Sequence, residues 1–212
     1  MILPHDLGTW RDAVAVKASE LVIVPPELDP VQAAMLKINP MTAWRLLHDY
    51  VDLKSGDWLI QNAANSAAGR AVIQIARDLG YKTVDVVRRE ELIDELRAEG
   101  GDVVLVDGEN LREEVKNATG NAPIHLGLNA VGGASALRLA NTLAPGSTIV
   151  TFGAMSLQAR KKSQQSHSAS ALQQLLLLAS DPARTGTRAA NIGLAQAEAY
   201  VLRVLANNYI GA

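Results

Sequence analysis

The 212-residue sequence contains no cysteine, which excludes disulfides, thiolate zinc sites and cysteine nucleophiles together. Its four histidines are scattered and lack the spacing of metal ligands, so the sequence predicts no metal site. No apolar run approaches the roughly 18 residues of a membrane-spanning helix. The formal net charge of −2 creates no global field that would attract nucleic acid or an anionic membrane. We therefore expect neither a membrane nor nucleic acid among the partners.

The sequence does contain a regular alternation of strand and helix patterns after Gly56. The candidate strands are residues 58–61, 83–87, 103–106, 124–129 and 148–152. The candidate helices between them are residues 68–79, 90–98, 111–118 and 133–143. Such alternation predicts a parallel sheet with right-handed crossovers, and therefore an α/β fold with a doubly wound parallel sheet.

The composition divides the chain into three segments. Residues 1–55 form a lead-in, residues 56–155 form the alternating domain, and residues 156–212 form a polar linker followed by a helical tail. In the lead-in, Asp29 before Pro30 is typical of a helix start. We expect this helix to end near Asn39 and a second one to follow it. No sixth strand is predicted, so we expect the tail to cover the edge of the last strand.

The stretch 57–89 has the order of parts of a dinucleotide-binding unit: strand, small-residue turn, helix and second strand. Small residues in the turn let a diphosphate approach the backbone, and the helix N-terminus supplies N–H groups and a positive dipole. Alanine tolerates a positive φ poorly, so alanines where glycine would fit better predict a different turn or a weakened site. The alternative is close packing without a ligand. The turn residues are Asn65, Ser66, Ala67, Ala68 and Gly69.

Two arginines, Arg88 and Arg89, follow the second strand of this unit, and Glu90, which comes next, is included with them among the candidate cofactor-binding residues. An acidic residue near this position binds the ribose hydroxyls of NAD, whereas arginines would bind the 2′-phosphate of NADPH. Each such charge-assisted hydrogen bond contributes roughly 1.5–3 kcal/mol. The alternative is an exposed pair neutralised by Glu90 and Glu91. We favour the phosphate site, because arginine is unfavourable beside a helix N-terminus.

Further candidates lie near strand ends. Asn62 and Asn65 could orient nicotinamide or ribose, although asparagine is common in turns. A glycine-bearing turn ends the fifth strand and could run beside the nicotinamide half of a cofactor, or it could simply end the strand. Its residues are Phe152, Gly153, Ala154 and Met155. Residues 129–133 end the fourth strand in the same way.

In the tail, residues 172–176 match the LxxLL pattern of helices that dock into hydrophobic grooves. Leucine-rich helices match this pattern often by chance. We therefore favour packing within the protein over docking to a partner.

Seven short segments resemble the medium-chain dehydrogenase/reductase superfamily, and above all its zinc-free branch of mitochondrial trans-2-enoyl-thioester reductases. They are GTW at 8–10, INPMTAWRLL at 38–47, GDWLIQNAANS at 56–66, VIQIA at 72–76, VVRRE at 86–90, LNAVGG at 128–133 and TFGAM at 151–155. The resemblance implies NADPH-dependent reduction of the 2,3 double bond of enoyl-CoA or enoyl-ACP thioesters in mitochondrial fatty-acid synthesis. The first residues themselves show no signal or transit peptide.

The resemblance also implies roles for single residues. Asn39 would contact the cofactor, Arg88 and Arg89 would bind its 2′-phosphate, and residues 152–155 would line its nicotinamide side. The residues that would line the diphosphate are Asn65, Ser66, Ala67 and Ala68. These assignments agree with the physical interpretation of the same positions.

The chain departs from the family pattern in two places. Family members carry an upstream GroES-like domain with the catalytic tyrosine, and no tyrosine here matches that position, so no catalytic residue is predicted. After Met155 the family's dimerisation strand is absent. We expect a truncated family member that binds NADPH and is inactive alone. The alternatives are a reductase of quinones or other activated alkenes in the same superfamily, and a non-catalytic NADPH-binding or partner-docking protein.

Overall fold

The structure is a computed structural model that describes residues 10–153 of the 212-residue chain. The predictions for Ala154, Met155, the polar linker, the helical tail and the 172–176 motif lie outside these residues. The described part divides into two compact units, one reaching to Thr42 and the other beginning at Ala43. The segment boundaries at residues 55 and 155 stay predictions.

Five strands, six α-helices and two 3₁₀ turns (Ala18–Glu20 and Glu90–Leu92) make up the regular structure of residues 10–153. The strands are β1 (Trp58–Asn62), β2 (Lys82–Val87), β3 (Val103–Val106), β4 (Ile124–Asn129) and β5 (Thr148–Thr151). The helices are α1 (Pro30–Met35), α2 (Asn39–His48), α3 (Ala67–Leu79), α4 (Ile93–Glu99), α5 (Leu111–Thr119) and α6 (Gly133–Ala140). None of these helices is long and apolar enough to cross a membrane.

The strands form one parallel sheet in the order β3-β2-β1-β4-β5. Helices α3 and α4 cover one face, where Ile73 and Leu96 belong to a buried apolar cluster. Helices α5 and α6 cover the other face, where Leu111 and Leu139 belong to a second cluster. A parallel sheet needs this cover on both faces, because its strands are apolar on both. The predicted α/β fold with a doubly wound sheet is confirmed.

Strand β1 lies at the centre of the sheet, between β2 and β4. From β1 the chain proceeds outward through β2 to β3, and it then continues on the opposite side of β1 with β4 and β5. The switch point therefore lies between the carboxyl ends of β1 and β4. Open parallel sheets bind their ligands in the crevice at this point.

The two helices of the lead-in differ from the prediction. Asp29 caps α1 as expected, since its carboxylate accepts hydrogen bonds from the amides of Val31 and Gln32. However, α1 ends at Met35, and Asn39 begins α2 instead of closing the first helix. The following Pro40 is compatible with this start, because proline in a first helical turn removes no intrahelical hydrogen bond.

A polar cluster is buried between β1 and β2, on the face covered by α3. Gln61 donates from Nε2 to Asp85 Oδ1 at 2.7 Å and to the carbonyl of Gly69 in α3 at 3.0 Å. The hydroxyl of Thr83 donates to Asp85 Oδ2 at 2.6 Å. Burial raises the pKa of Asp85 to about 6, although both hydrogen bonds favour its charged form. Gln61 thus links the first turn of α3 to the buried carboxylate of Asp85 in β2.

Asp85 should make the stability of the fold depend on pH. The folded protein keeps this proton to a higher pH than the unfolded chain does. The free energy of unfolding should therefore fall as pH rises from about 4 to about 6, by up to about 3 kcal/mol, and then level off. In Asp85→Asn this component of the pH dependence should vanish, which urea unfolding across this pH range would measure.

Asp94→Asn is the matched control, because the side chain of Asp94 is fully exposed on α4. It should keep the wild-type dependence on pH. Parallel unfolding profiles for wild type and Asp85→Asn would show that Asp85 does not titrate in this range.

Candidate functional site

Three of the predicted groups meet at the carboxyl edge of the sheet. Residues 65–69 follow β1, Arg88 and Arg89 follow the neighbouring β2, and Phe152 and Gly153 follow β5. Asn39 belongs to the other unit, as the first residue of α2, and its role stays a prediction. The structure therefore groups the candidate residues by strand end, as a cofactor lying across a parallel sheet would require.

The turn between β1 and α3 is strained, but not where the sequence predicted strain. Ala67 and Ala68 lie in the first turn of α3 with helical backbone. The positive φ falls on Ala63, at +51°. A left-handed alanine costs roughly 1–2 kcal/mol. Ala67 and Ala68 therefore need no positive φ, whereas a weakened cofactor site stays a prediction.

Gly69 allows the helix to approach this turn. A β-carbon at Gly69 would lie 2.5 Å from the carbonyl oxygen of Ala64 and 2.8 Å from that of Ala63. Real β-carbons essentially never come so close to backbone oxygens, so only glycine fits without a shift. This is the helix–strand packing role that glycine has in dinucleotide-binding turns.

The start of α3 presents hydrogen-bond donors. Ser66 caps the helix and accepts a bond from the amide of Gly69 at 3.1 Å. The amides of Ala67 and Ala68 belong to the first turn and have no acceptor inside the helix. Together with the dipole of this 13-residue helix, they favour an anion such as a diphosphate.

Arg70 anchors the turn from the outer side, a role the sequence did not suggest. Its Nε donates to the carbonyl of Asn65 at 3.2 Å. Its guanidinium also pairs with Glu95 of α4 at 2.8 Å and with Glu99. Arginine followed by two acidic residues one turn apart on the next helix is the signal that could have indicated this bridge.

The arginines at the end of β2 are exposed. Arg88 makes no ion pair among the described residues, whereas Nε of Arg89 lies 3.4 Å from Glu91. Both partners of this pair are more than half exposed, so it contributes little. Glu90 begins the 3₁₀ turn Glu90–Leu92 and is also exposed. Both arginines thus remain accessible to an anionic ligand at this edge.

Asn62, the last residue of β1, faces the protein interior and not a ligand. Its Nδ2 donates to Asn129 Oδ1 at 2.8 Å and to Ser135 Oγ at 3.2 Å. Its Oδ1 accepts from the amide of Ala130 at 2.7 Å. Only 2% of Asn62 is exposed. Its amide therefore joins β1 to the end of β4 and to α6.

The end of β5 packs directly on the residues that follow β4. The amide of Phe152 donates to the carbonyl of Asn129 at 3.0 Å. At Gly153 a β-carbon would lie 2.8 Å from the carbonyl oxygen of Ala130. Phe152 and Gly153 are half-buried and lie one strand beyond the switch point, on the side away from Arg88.

The close approach at Gly69 gives a direct test. Gly69→Ala should lower the free energy of unfolding by about 1–3 kcal/mol, because the added methyl group forces α3 away from the turn. Helix propensity alone would favour alanine by about 1 kcal/mol. Denaturant unfolding would measure the difference.

Gly108→Ala is the control, since a β-carbon there would meet nothing within 4 Å. This change should shift the free energy of unfolding by no more than about 0.5 kcal/mol. A Gly69→Ala protein as stable as wild type would contradict the packing described here.

Comparison with known proteins places these features in a family. The family model described as zinc-binding dehydrogenase matches residues 67–181, more than half of the chain. The mitochondrial enoyl-[acyl-carrier-protein] reductase of Rattus norvegicus is 45% identical over 157 residues, covering 72% of this chain and 42% of that protein. The chain therefore spans less than half the length of this relative.

Two solved structures share the fold. A mycobacterial protein complexed with NADPH has a TM-score of 0.60 at 28% identity, covering 66% of this chain and 43% of that one. The quinone oxidoreductase of Pseudomonas syringae pv. Tomato has a TM-score of 0.59 at 25% identity, covering 64% of this chain and 42% of that one.

The residues that the structure describes do not fit the zinc site that the family description implies. The sequence has no cysteine, and no group of three histidine, aspartate or glutamate residues within 10–153 could hold a metal ion. The match begins instead at Ala67, the first residue of α3, and so takes in the helix that starts at the candidate site. This chain belongs to the zinc-binding dehydrogenase family, and its predicted relationship to the mitochondrial enoyl-thioester reductases is confirmed.

Proposed function

We propose that this chain is the cofactor-binding part of an NADPH-dependent reductase of enoyl thioesters. The observation that carries the proposal is the juxtaposition of two anion-attracting groups at neighbouring strand ends. The capped start of α3 follows β1, and Arg88 and Arg89 follow β2. NADPH has two separate anionic groups, the diphosphate and the 2′-phosphate, which match this arrangement.

The proposed roles follow from the geometry. The amides of Ala67 and Ala68 bind the diphosphate, with Ser66 holding the helix start in place and Gly69 allowing the close approach. Arg88 and Arg89 bind the 2′-phosphate and thereby select NADPH over NADH. Phe152 and Gly153, which pack on the residues after β4, line the nicotinamide side. When bound, the cofactor would supply the hydride that reduces the substrate.

We further propose that residues 1–212 alone reduce enoyl thioesters slowly or not at all. Reduction of the double bond also needs a proton donor near the substrate. Tyr81 immediately precedes β2 and so lies at the amino edge of the sheet, opposite the site. A bound cofactor without a proton donor beside the substrate would gain little from positioning.

The substrate class and location rest on the relatives. Their names specify a mitochondrial enoyl-[acyl-carrier-protein] reductase, which supports an enoyl thioester as substrate and a mitochondrial location for this chain. A second candidate function is the reduction of quinones, which the similarity to the Pseudomonas syringae quinone oxidoreductase supports. Both functions would use the same cofactor site.

The cofactor site can be tested by fluorescence titration with NADPH and NADH. Wild type should bind NADPH with a lower Kd than NADH. Arg88→Ala/Arg89→Ala should raise the Kd for NADPH by about tenfold or more, because the charge-assisted bonds to the 2′-phosphate are lost. The Kd for NADH should stay within about twofold, since NADH lacks this phosphate.

Arg112→Ala/Lys116→Ala is the matched control, because it removes the same charge from α5. This variant should bind NADPH like wild type. Equal weakening by both double variants would indicate a general electrostatic effect and not a phosphate site.

Turnover is a separate measurement. Oxidation of NADPH should stay at background with enoyl thioesters and with quinones when residues 1–212 are assayed alone. Reduction of an enoyl thioester above background would overturn the proposed inactivity, whereas reduction of a quinone only would favour the second candidate function.

A further inference from the structure

We propose that Asn62 and Asn129 are positioning residues that hold the diphosphate side and the nicotinamide side of the crevice at a fixed separation. The inference rests on the proposed NADPH site. Their side chains form a buried bridge, here called the asparagine clamp, between the carboxyl ends of β1 and β4. The proposal assigns a function to a hydrogen-bond network that touches no ligand itself.

The first half of the clamp is Asn62. It spans to partners 67 to 73 residues away in the sequence, so it joins elements that have no local connection. Two donated bonds and one accepted bond engage both ends of its amide group. The next residue is the left-handed Ala63, which leads into the diphosphate turn. Loss of the Asn62 side chain therefore frees this turn, residues 63–66, to shift relative to the loop after β4.

The second half is Asn129, which is fully buried. Its Oδ1 accepts from Asn62 and also from the amides of Val131 and Gly132, at 3.2 and 3.0 Å. Its Nδ2 donates to Thr151 Oγ1 of β5 at 3.1 Å. One side chain thus shapes the loop after β4 and reaches the last residue of β5.

The clamp continues into the nicotinamide side through Ala130. Asn62 holds the amide of Ala130, and Gly153 packs against the carbonyl of the same residue. The backbone of Asn129 binds Phe152. The path from β1 to the end of β5 therefore contains only hydrogen bonds and one close backbone contact. Buried networks of this kind impose one geometry, because each unsatisfied partner would be costly.

Arg88 and Arg89 lie outside this path. They follow β2, on the opposite side of β1, and no side-chain hydrogen bond of the clamp involves β2; only the parallel pairing of the strands joins Asn62 to β2, at Val86. Loosening the clamp should therefore disturb the relation of the diphosphate turn to the nicotinamide side, while it leaves the 2′-phosphate site in place. A positioning role therefore predicts weaker binding of NADPH with an intact 2′-phosphate site, whereas a general loss of stability would weaken the binding of every ligand.

The test compares NADPH with 2′,5′-ADP, which has the adenosine, the 2′-phosphate and one 5′-phosphate but nothing that reaches the nicotinamide side. In Asn62→Ala the Kd for NADPH should rise by about tenfold, equivalent to about 1.4 kcal/mol, while the Kd for 2′,5′-ADP stays within about twofold. Ser147→Ala is the control. It removes a hydrogen bond from Ser147 Oγ to the carbonyl of Ile124, at the amino end of β4 and away from the site, and should lower thermal stability with both Kd values unchanged.

Thr151→Val gives a second, milder variant in case Asn62→Ala does not fold. It removes only the link from Asn129 to β5, at an exposed position, and should raise the Kd for NADPH about threefold without affecting 2′,5′-ADP. An equal rise in the Kd values for NADPH and 2′,5′-ADP would overturn the positioning role, and so would unchanged Kd values in both variants. If wild type itself fails to bind NADPH, the proposed function fails first, and the inference fails with it.

Discussion

The approach of α3 to the turn after β1 is the contact on which the site depends. Glycine at 69 brings the first helical turn against the carbonyls of Ala63 and Ala64. Gln61 then reaches the helix from the sheet, and Arg70 reaches the turn from the helix. These interactions fix both the position and the direction of the helix N-terminus. The dipole of α3 can stabilise an anion at one site only if the helix N-terminus is held in a fixed position. The proposed binding of the diphosphate therefore depends on this contact.

The sheet could be predicted from the sequence because its strands are short apolar runs separated by amphipathic helices. Strands that are apolar on both faces must be covered by helices on both sides of the sheet, and the parallel order follows from the helical crossovers. The bounds of the lead-in helices could not be predicted as well. Proline at position 40 suits both a helix end and a helix start, and only tertiary packing distinguishes them.

The candidate site was predictable to the level of strand ends, but not to the level of single side chains. Arg88 and Arg89 directly follow β2, as the sequence pattern of an apolar strand followed by charged residues predicts. Asn62 has the same local pattern as a ligand-facing residue, yet its amide is engaged by partners far away in the sequence. Hydrogen-bond partners of this kind depend on the three-dimensional arrangement of strands, which a linear motif does not contain. The positive φ of Ala63 could not be predicted from the linear motif for the same reason.

The left-handed backbone at Ala63 has a consequence for the thermodynamics of ligand binding. Glycine at this position would adopt the same conformation without strain, but it would also visit many others. Alanine restricts the loop to few alternatives once the fold has formed. The ordering entropy of the turn is thus lost during folding and not during association with an anion. A ligand that meets such a preorganised loop binds with less entropic opposition, at the expense of a small decrease in global stability.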